Sequence, residues 1–251
     1  ELLPAGIRLI SGPGCPVCVT PTSYLDKAIA LSRRGGCIIT TFGDMIRVPG
    51  SSSSLEKEKT AGADIRIVYS PIQAVDIALN NPGKKVIFLA VGFETTSPMI
   101  AASVKKARDM GIDNFFLLCG CKIIPPALKA LLAAGWIRID GLICPGHVSV
   151  IIGSSPYDFI PKKYKIPCVI TGFDPLDIAA GIYMLIVQVA EQRPAIEIEY
   201  SRIVEREGNR KAQKLLDEVF MPVDSEWRGI GVIPGSGLAL KSGLSDFDIE
   251  Q

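Results

Sequence analysis

The chain has 251 residues, 48% of them hydrophobic and 21% charged, with 27 Lys and Arg against 26 Asp and Glu. So even a balance argues against the basic surface that binding to nucleic acid or an anionic membrane requires. A chain of this length buries roughly 70–75% of its unfolded surface, enough for a core without a disulfide framework. No apolar run reaches the ~18–20 residues of a bilayer span and no leader pattern opens the chain; the longest run, Ile178–Ala190, reads as a buried helix. Seven cysteines, an odd number, fit a reducing compartment, and the cytoplasm is the expected location.

In chain order, β-branched runs predict strands at Ile7–Ile10, Cys37–Thr41, Ile65–Tyr69, Val86–Val91, Phe115–Leu118, Leu142–Cys144, Cys168–Thr171 and Ile196–Tyr200. Helices are expected at Ser23–Arg34, Ile72–Asn80, Pro98–Met110, Pro126–Ala134 and Leu176–Glu191. Near-continuous apolar strands alternating with helices predict an α/β protein with parallel sheets covered on both faces.

The halves resemble each other. Cys37-Ile-Ile-Thr-Thr-Phe-Gly-Asp44 parallels Cys168-Val-Ile-Thr-Gly-Phe-Asp174, Ile65-Arg-Ile-Val-Tyr-Ser70 parallels Ile196-Glu-Ile-Glu-Tyr-Ser201, and Pro13-Gly14-Cys15 parallels Pro145-Gly146-His147. The expectation is two similar βαβ lobes from an internal duplication, residues 1–112 and 113–240, facing a shared cleft, with residues 241–251 as a tail. Ligand-binding loops gather at strand carboxyl ends in such folds. Cys37 and Cys168, at equivalent strand starts, read as small core hydrophobes.

Four segments carry candidate chemistry. Gly12-Pro-Gly-Cys15-Pro-Val-Cys18 precedes a helix whose start reads as a capping box from Ser23 to Asp26, a place where a thiolate is stabilised. Two thiols at this spacing can close a disulfide or offer two sulfur ligands to a soft metal; two incidental buried cysteines is the competing reading. His147, the only histidine, sits in the turn matching that of Cys15, so Cys15, Cys18 and His147 are the candidate metal ligands. Glu94, in Val91-Gly-Phe-Glu-Thr-Thr-Ser-Pro98, follows a strand, and either Glu94, Thr95 or Ser97 caps the next helix or Glu94 acts chemically. Asp44, Thr95 and Thr96 are the further ligand-facing candidates, and Asp174 stands at the repeat position of Asp44. Cys119 and Cys121 form a lone Cys-x-Cys, and Cys144 reads as packing. The glycines around Gly229–Gly237 lack dinucleotide-site spacing.

Together GPGCPVCVTP (Gly12–Pro21), TFGDMIRVPGS (Thr41–Ser51), VGFETTSP (Val91–Pro98), PGHVSVIIG (Pro145–Gly153) and WRGIGVIPGSGLAL (Trp227–Leu240) resemble the HypD family of [NiFe]-hydrogenase maturation proteins across essentially the whole chain. The resemblance implies a scaffold that carries iron while cyanide and carbon monoxide are installed to give Fe(CN)2CO. It implies a small HypC-type chaperone and a HypE-type cyanide donor as partners, with Cys15 and Cys18 as the redox-capable pair near the iron and Glu94 and His147 lining the same cleft. The family's Cys-Gly-x-His-x-His motif is expected upstream of Glu1, its [4Fe-4S] cysteine region beyond Gln251, and a family histidine is replaced at Cys121; the expectation is a fragment. The competing class is a thiol–disulfide oxidoreductase using Cys15 and Cys18 directly.

Overall fold

The computed structural model describes residues 3–135 and 137–251. Its helices are α1 (Thr22–Ser32), α2 (Leu55–Thr60), α3 (Pro71–Leu79), α4 (Ser97–Asp109), α5 (Ile124–Ala133), α6 (Gly146–Ile152), α7 (Pro175–Ala190) and α8 (Arg210–Val219). Its strands are β1 (Cys37–Thr41), β2 (Ile65–Ile67), β3 (Lys85–Ala90), β4 (Phe115–Cys119), β5 (Leu142–Cys144), β6 (Cys168–Ile170), β7 (Ile196–Ile198), β8 (Phe220–Trp227) and β9 (Gly231–Leu240).

Two parallel sheets form the frame. One has the order β2-β1-β3-β4 and the other β5-β6-β7, while β8 and β9 make an antiparallel hairpin. The central strand β3 is buried over Val86–Ala90, and helices α3 and α4 cover it with Ala74, Val75, Ile100 and Val104. Local chemistry starts several of these helices. Ser54, Ser70 and Asn209 each accept a backbone N–H at the starts of α2, α3 and α8, and Pro71 preorganises the first turn of α3.

The two sheets share a local pattern. β1 and β2 are parallel neighbours, as are β6 and β7, but Ile39 pairs with Ile65 whereas Ile170 pairs with Ile198, two residues further along.

Four expectations change. Ile7–Ile10 forms no strand; Leu9 and Ile10 lie exposed, outside both sheets. Strand β4 joins the four-stranded sheet, so that sheet draws on both sides of the 112/113 boundary read from sequence. The stretch after Leu240 packs rather than trailing away: Ile249 donates its backbone N–H to Leu117 O at 3.1 Å. Helix α7 is not buried all round. It lies on β5 and β6 with one face, leaving Leu176 80% and Tyr183 68% exposed, because only one sheet face is available to it.

Candidate functional site

The cysteine turn is held by its own backbone. Val19 N–H donates to Cys15 O at 3.2 Å, and the Thr20 hydroxyl closes on Pro16 O at 2.8 Å. Cys18 N–H points at Cys15 Sγ, 3.2 Å away. Cys15 is half-buried and Cys18 exposed, both as free thiols. The expected capping box is absent. Pro21 occupies the N-cap of α1, the Ser23 hydroxyl donates to Glu226, and Asp26 accepts the Ser51 N–H and hydroxyl instead. The expected thiolate stabilisation is also reversed at Cys18. The neighbouring Cys15 thiol pushes its pKa up, burial adds to this, and the Arg228 guanidinium pulls the other way.

Glu94 does not cap the helix that follows it. The N-cap of α4 is Thr96 without a side-chain bond, and the Ser97 hydroxyl donates to Phe93 O. Glu94 instead reaches across to α5, where Oε1 accepts the Ile124 N–H at 2.9 Å, while Oε2 is buried without a partner. Burial in this apolar setting pushes the carboxyl from 4.5 up to about 7, against the pull of backbone N–H groups. Gly92 permits the turn, since a Cβ there would meet Thr96 Cβ at 2.6 Å. Thr95 is exposed and Thr96 half-buried, their hydroxyls 3.5 Å apart.

His147 is exposed in the first turn of α6, its ring 4.0 Å from that of Phe173 at 34°. Phe173 meets Tyr200 edge-on, and Arg202 lies over Tyr200 while pairing with Asp177. Gly146 makes this stack possible: a Cβ there would lie 2.5 Å from Thr171 O and 3.3 Å from the Phe173 ring. Asp174 takes the N-cap position of α7 without a side-chain cap bond. Asp44 lies elsewhere, in a short 3-10 turn lining an open groove of about 440 Å³ with Arg47, Glu56 and Lys59; none of Cys15, Cys18, Glu94 or His147 lines it.

One apolar cluster ties the other segments together. It contains Val19 next to Cys18, Phe93 next to Glu94, and Val148 next to His147, with Trp227 from the hairpin among them. Trp227 stacks on Phe93 at 5.9 Å and donates Nε1–H to Ser236. Beside it, Arg228 N–H donates to Val19 O at 2.8 Å. Lys122 N–H donates to Gly92 O, and its buried ammonium reaches Ser225 Oγ and Glu226 O, burial drawing its pKa down to about 8. The hairpin thus bridges the cysteine turn and the Glu94 turn. Sequence reasoning used Trp227–Leu240 only as part of the family resemblance and gave none of its residues a role in the site; a Trp-Arg pair opening a Gly-rich turn was the available signal.

The remaining cysteines sit mostly in the core. Cys144 and Cys168 are buried on adjacent strands, and the Cys144 pKa is pushed well up by the Cys168 thiol and by burial. Cys121 is buried with its thiol donating to Ala90 O at 3.2 Å, burial raising it to about 11. Cys37, by contrast, is only half-buried. Among the described residues no three of His, Cys, Asp and Glu gather as a metal-ligand group. Cys15, Cys18 and His147 are therefore not gathered as a ready-made ligand set.

The Glu94 and His147 turns follow the parallel strands β3 and β5 of an α/β protein, at the carboxyl ends where such folds gather ligand-binding loops. This chain belongs to the HypD family: the family model for "HypD: Hydrogenase formation hypA family" matches residues 1–251. It is 45% identical over 258 residues to the "Hydrogenase expression/formation protein HupD" of Azotobacter chroococcum mcd 1, covering 100% of this chain and 68% of that protein. The "Hydrogenase maturation factor HypD" of Azotobacter vinelandii gives the same identity and coverage, and that of Rhodobacter capsulatus is 44% identical over 252 residues, 100% of this chain and 67% of its own. The role of the chain lies in hydrogenase formation. None of its described helices is long and apolar enough to cross a membrane.

Proposed function

We propose that the chain serves as a scaffold on which the Fe(CN)2CO group of [NiFe]-hydrogenase is assembled, the iron being cargo rather than a resident cofactor. The observation that carries this reading is the pair of free thiols on one surface turn, with Cys18 N–H on Cys15 Sγ at 3.2 Å and the turn anchored to the hairpin that also packs on the Glu94 loop. Closing that pair into a disulfide releases two electrons and two protons, which suits a redox-capable pair beside a metal being modified. Glu94, poised near neutrality, is the group suited to exchange a proton. His147 is an exposed imidazole able to contribute a nitrogen ligand once partners close the site. In this reading the two lobes arose by duplication and their strand ends face one cleft, with a HypC-type chaperone and a HypE-type cyanide donor docking there.

The test is anaerobic loading of the full chain with ferrous iron together with its small chaperone. Iron retention is expected to fall in Cys15→Ala, Cys18→Ala and His147→Ala. Undiminished iron in the double Cys15→Ala/Cys18→Ala variant would overturn the reading. Because Cys18 is exposed, a direct thiol–disulfide oxidoreductase is the second reading; steady turnover of a generic disulfide by the iron-free chain would favour it.

A further inference from the structure

Arg228 opens the turn between β8 and β9 and is fixed to the cysteine turn at two points. Its N–H donates to Val19 O at 2.8 Å, and Nη2 donates to the Thr22 hydroxyl at 3.3 Å. No ion pair among the described residues uses this guanidinium. Its Nε is buried and unpartnered, and Nη1 has no hydrogen-bond partner among the described residues either. The neighbouring Glu226 carboxylate is turned to the Ser23 hydroxyl, and the Lys122 ammonium is turned inward to Ser225 and Glu226 O. An arginine held this firmly, with neither counter-ion nor full solvation, is a fork of donors with one open edge.

We propose that the open guanidinium edge of Arg228 and the Thr22 hydroxyl form a binding site for a small monovalent anion beside the Cys15–Cys18 pair. One edge and one hydroxyl suit a single acceptor end, so a linear or planar monoanion fits where a phosphate group would leave oxygens unpaired. Val19, whose carbonyl takes the Arg228 N–H at 2.8 Å, directly follows Cys18, which puts the two groups in one neighbourhood. The site needs only the iron-free chain and stands or falls separately from the iron reading.

The experiment alkylates Cys18 in the reduced, iron-free full chain at constant ionic strength, with anionic iodoacetate and neutral iodoacetamide compared by peptide mapping. Taking the ratio of the two rates cancels any change in thiol reactivity itself. The ratio should fall about fivefold in Arg228→Gln, the scale of one well-placed charge-assisted contact. Thiocyanate in place of chloride should slow the iodoacetamide reaction saturably in the unsubstituted chain and not in Arg228→Gln, while Arg228→Lys should retain part of the ratio. An unchanged ratio, or saturable protection that survives in Arg228→Gln, would overturn the site. Should Arg228→Gln fail to fold, the unsubstituted chain decides alone: no saturable protection up to about 50 mM thiocyanate, weaker than any millimolar affinity, refutes it.

Discussion

The carboxylate of Glu94 accepts the backbone N–H of Ile124 at 2.9 Å, so the acid that follows β3 serves the first turn of α5, three elements further along the chain. Its other oxygen is buried without a partner. A carboxylate so placed gains from one N–H and the helix dipole, but it loses the hydration of its second oxygen. Burial wins, and the acid titrates near neutrality.

The first prediction follows from that balance. The rise from 4.5 to about 7 disfavours the ionised form in the folded chain by about 3 kcal/mol. The neutral form is therefore the stable one: this contribution is fully present below about 4.5 and is lost as pH climbs through about 7. Glu94→Gln keeps an oxygen for Ile124 N–H and removes the titration. Urea unfolding at pH 5 and pH 8 should show the unsubstituted chain losing stability relative to Glu94→Gln. Parallel pH profiles would refute the assignment.

A second prediction concerns the thiols. Mild oxidation should join Cys15 to Cys18 within one chain, because both lie on an exposed turn with a backbone contact between them. Cys121, Cys144 and Cys168, all buried, should stay unlabelled until the protein unfolds. Cys37, half-buried, should react at an intermediate rate. Mass-spectrometric mapping checks the order, and early labelling of Cys168 would contradict the packing.

Gly146 supplies a third. A methyl group there would lie 2.5 Å from Thr171 O, a backbone atom that cannot swing away. Gly146→Ala should cost about 1–3 kcal/mol through overpacking and shift the His147 ring resonances, since the same methyl presses on the Phe173 ring beneath the imidazole. Unmoved His147 signals with native stability would show that the close approach is not required.

The hairpin provides the fourth. Trp227 is fully buried, stacked on Phe93 and bonded to Ser236. Trp227→Ala should lower stability by about 3–5 kcal/mol, the usual cost of emptying a large aromatic site. Losing the bridge should also make the cysteine turn more accessible, raising Cys15 labelling by iodoacetamide below the unfolding midpoint. Labelling that changes only at global unfolding would separate the hairpin from the turn.

The sequence by itself determined the α/β class and most element positions. β1 spans Cys37–Thr41 and β5 spans Leu142–Cys144, as the apolar runs indicate, because residues buried on both faces of a strand must be apolar wherever the strand lies. It also singled out the turns bearing Cys15, Glu94 and His147, since glycine and proline mark sharp turns, although only the Glu94 and His147 turns follow strands. Only the tertiary structure decided partners. Whether Phe115–Cys119 completes the first sheet, whether Glu94 caps its own helix or α5, and whether Arg228 meets the cysteine turn all depend on contacts between residues distant in the chain. The same limit explains the misplaced strand at Ile7–Ile10 and the exposed face of α7. Hydrophobic pattern states what a segment can bury, and the fold alone settles what is there to bury it against.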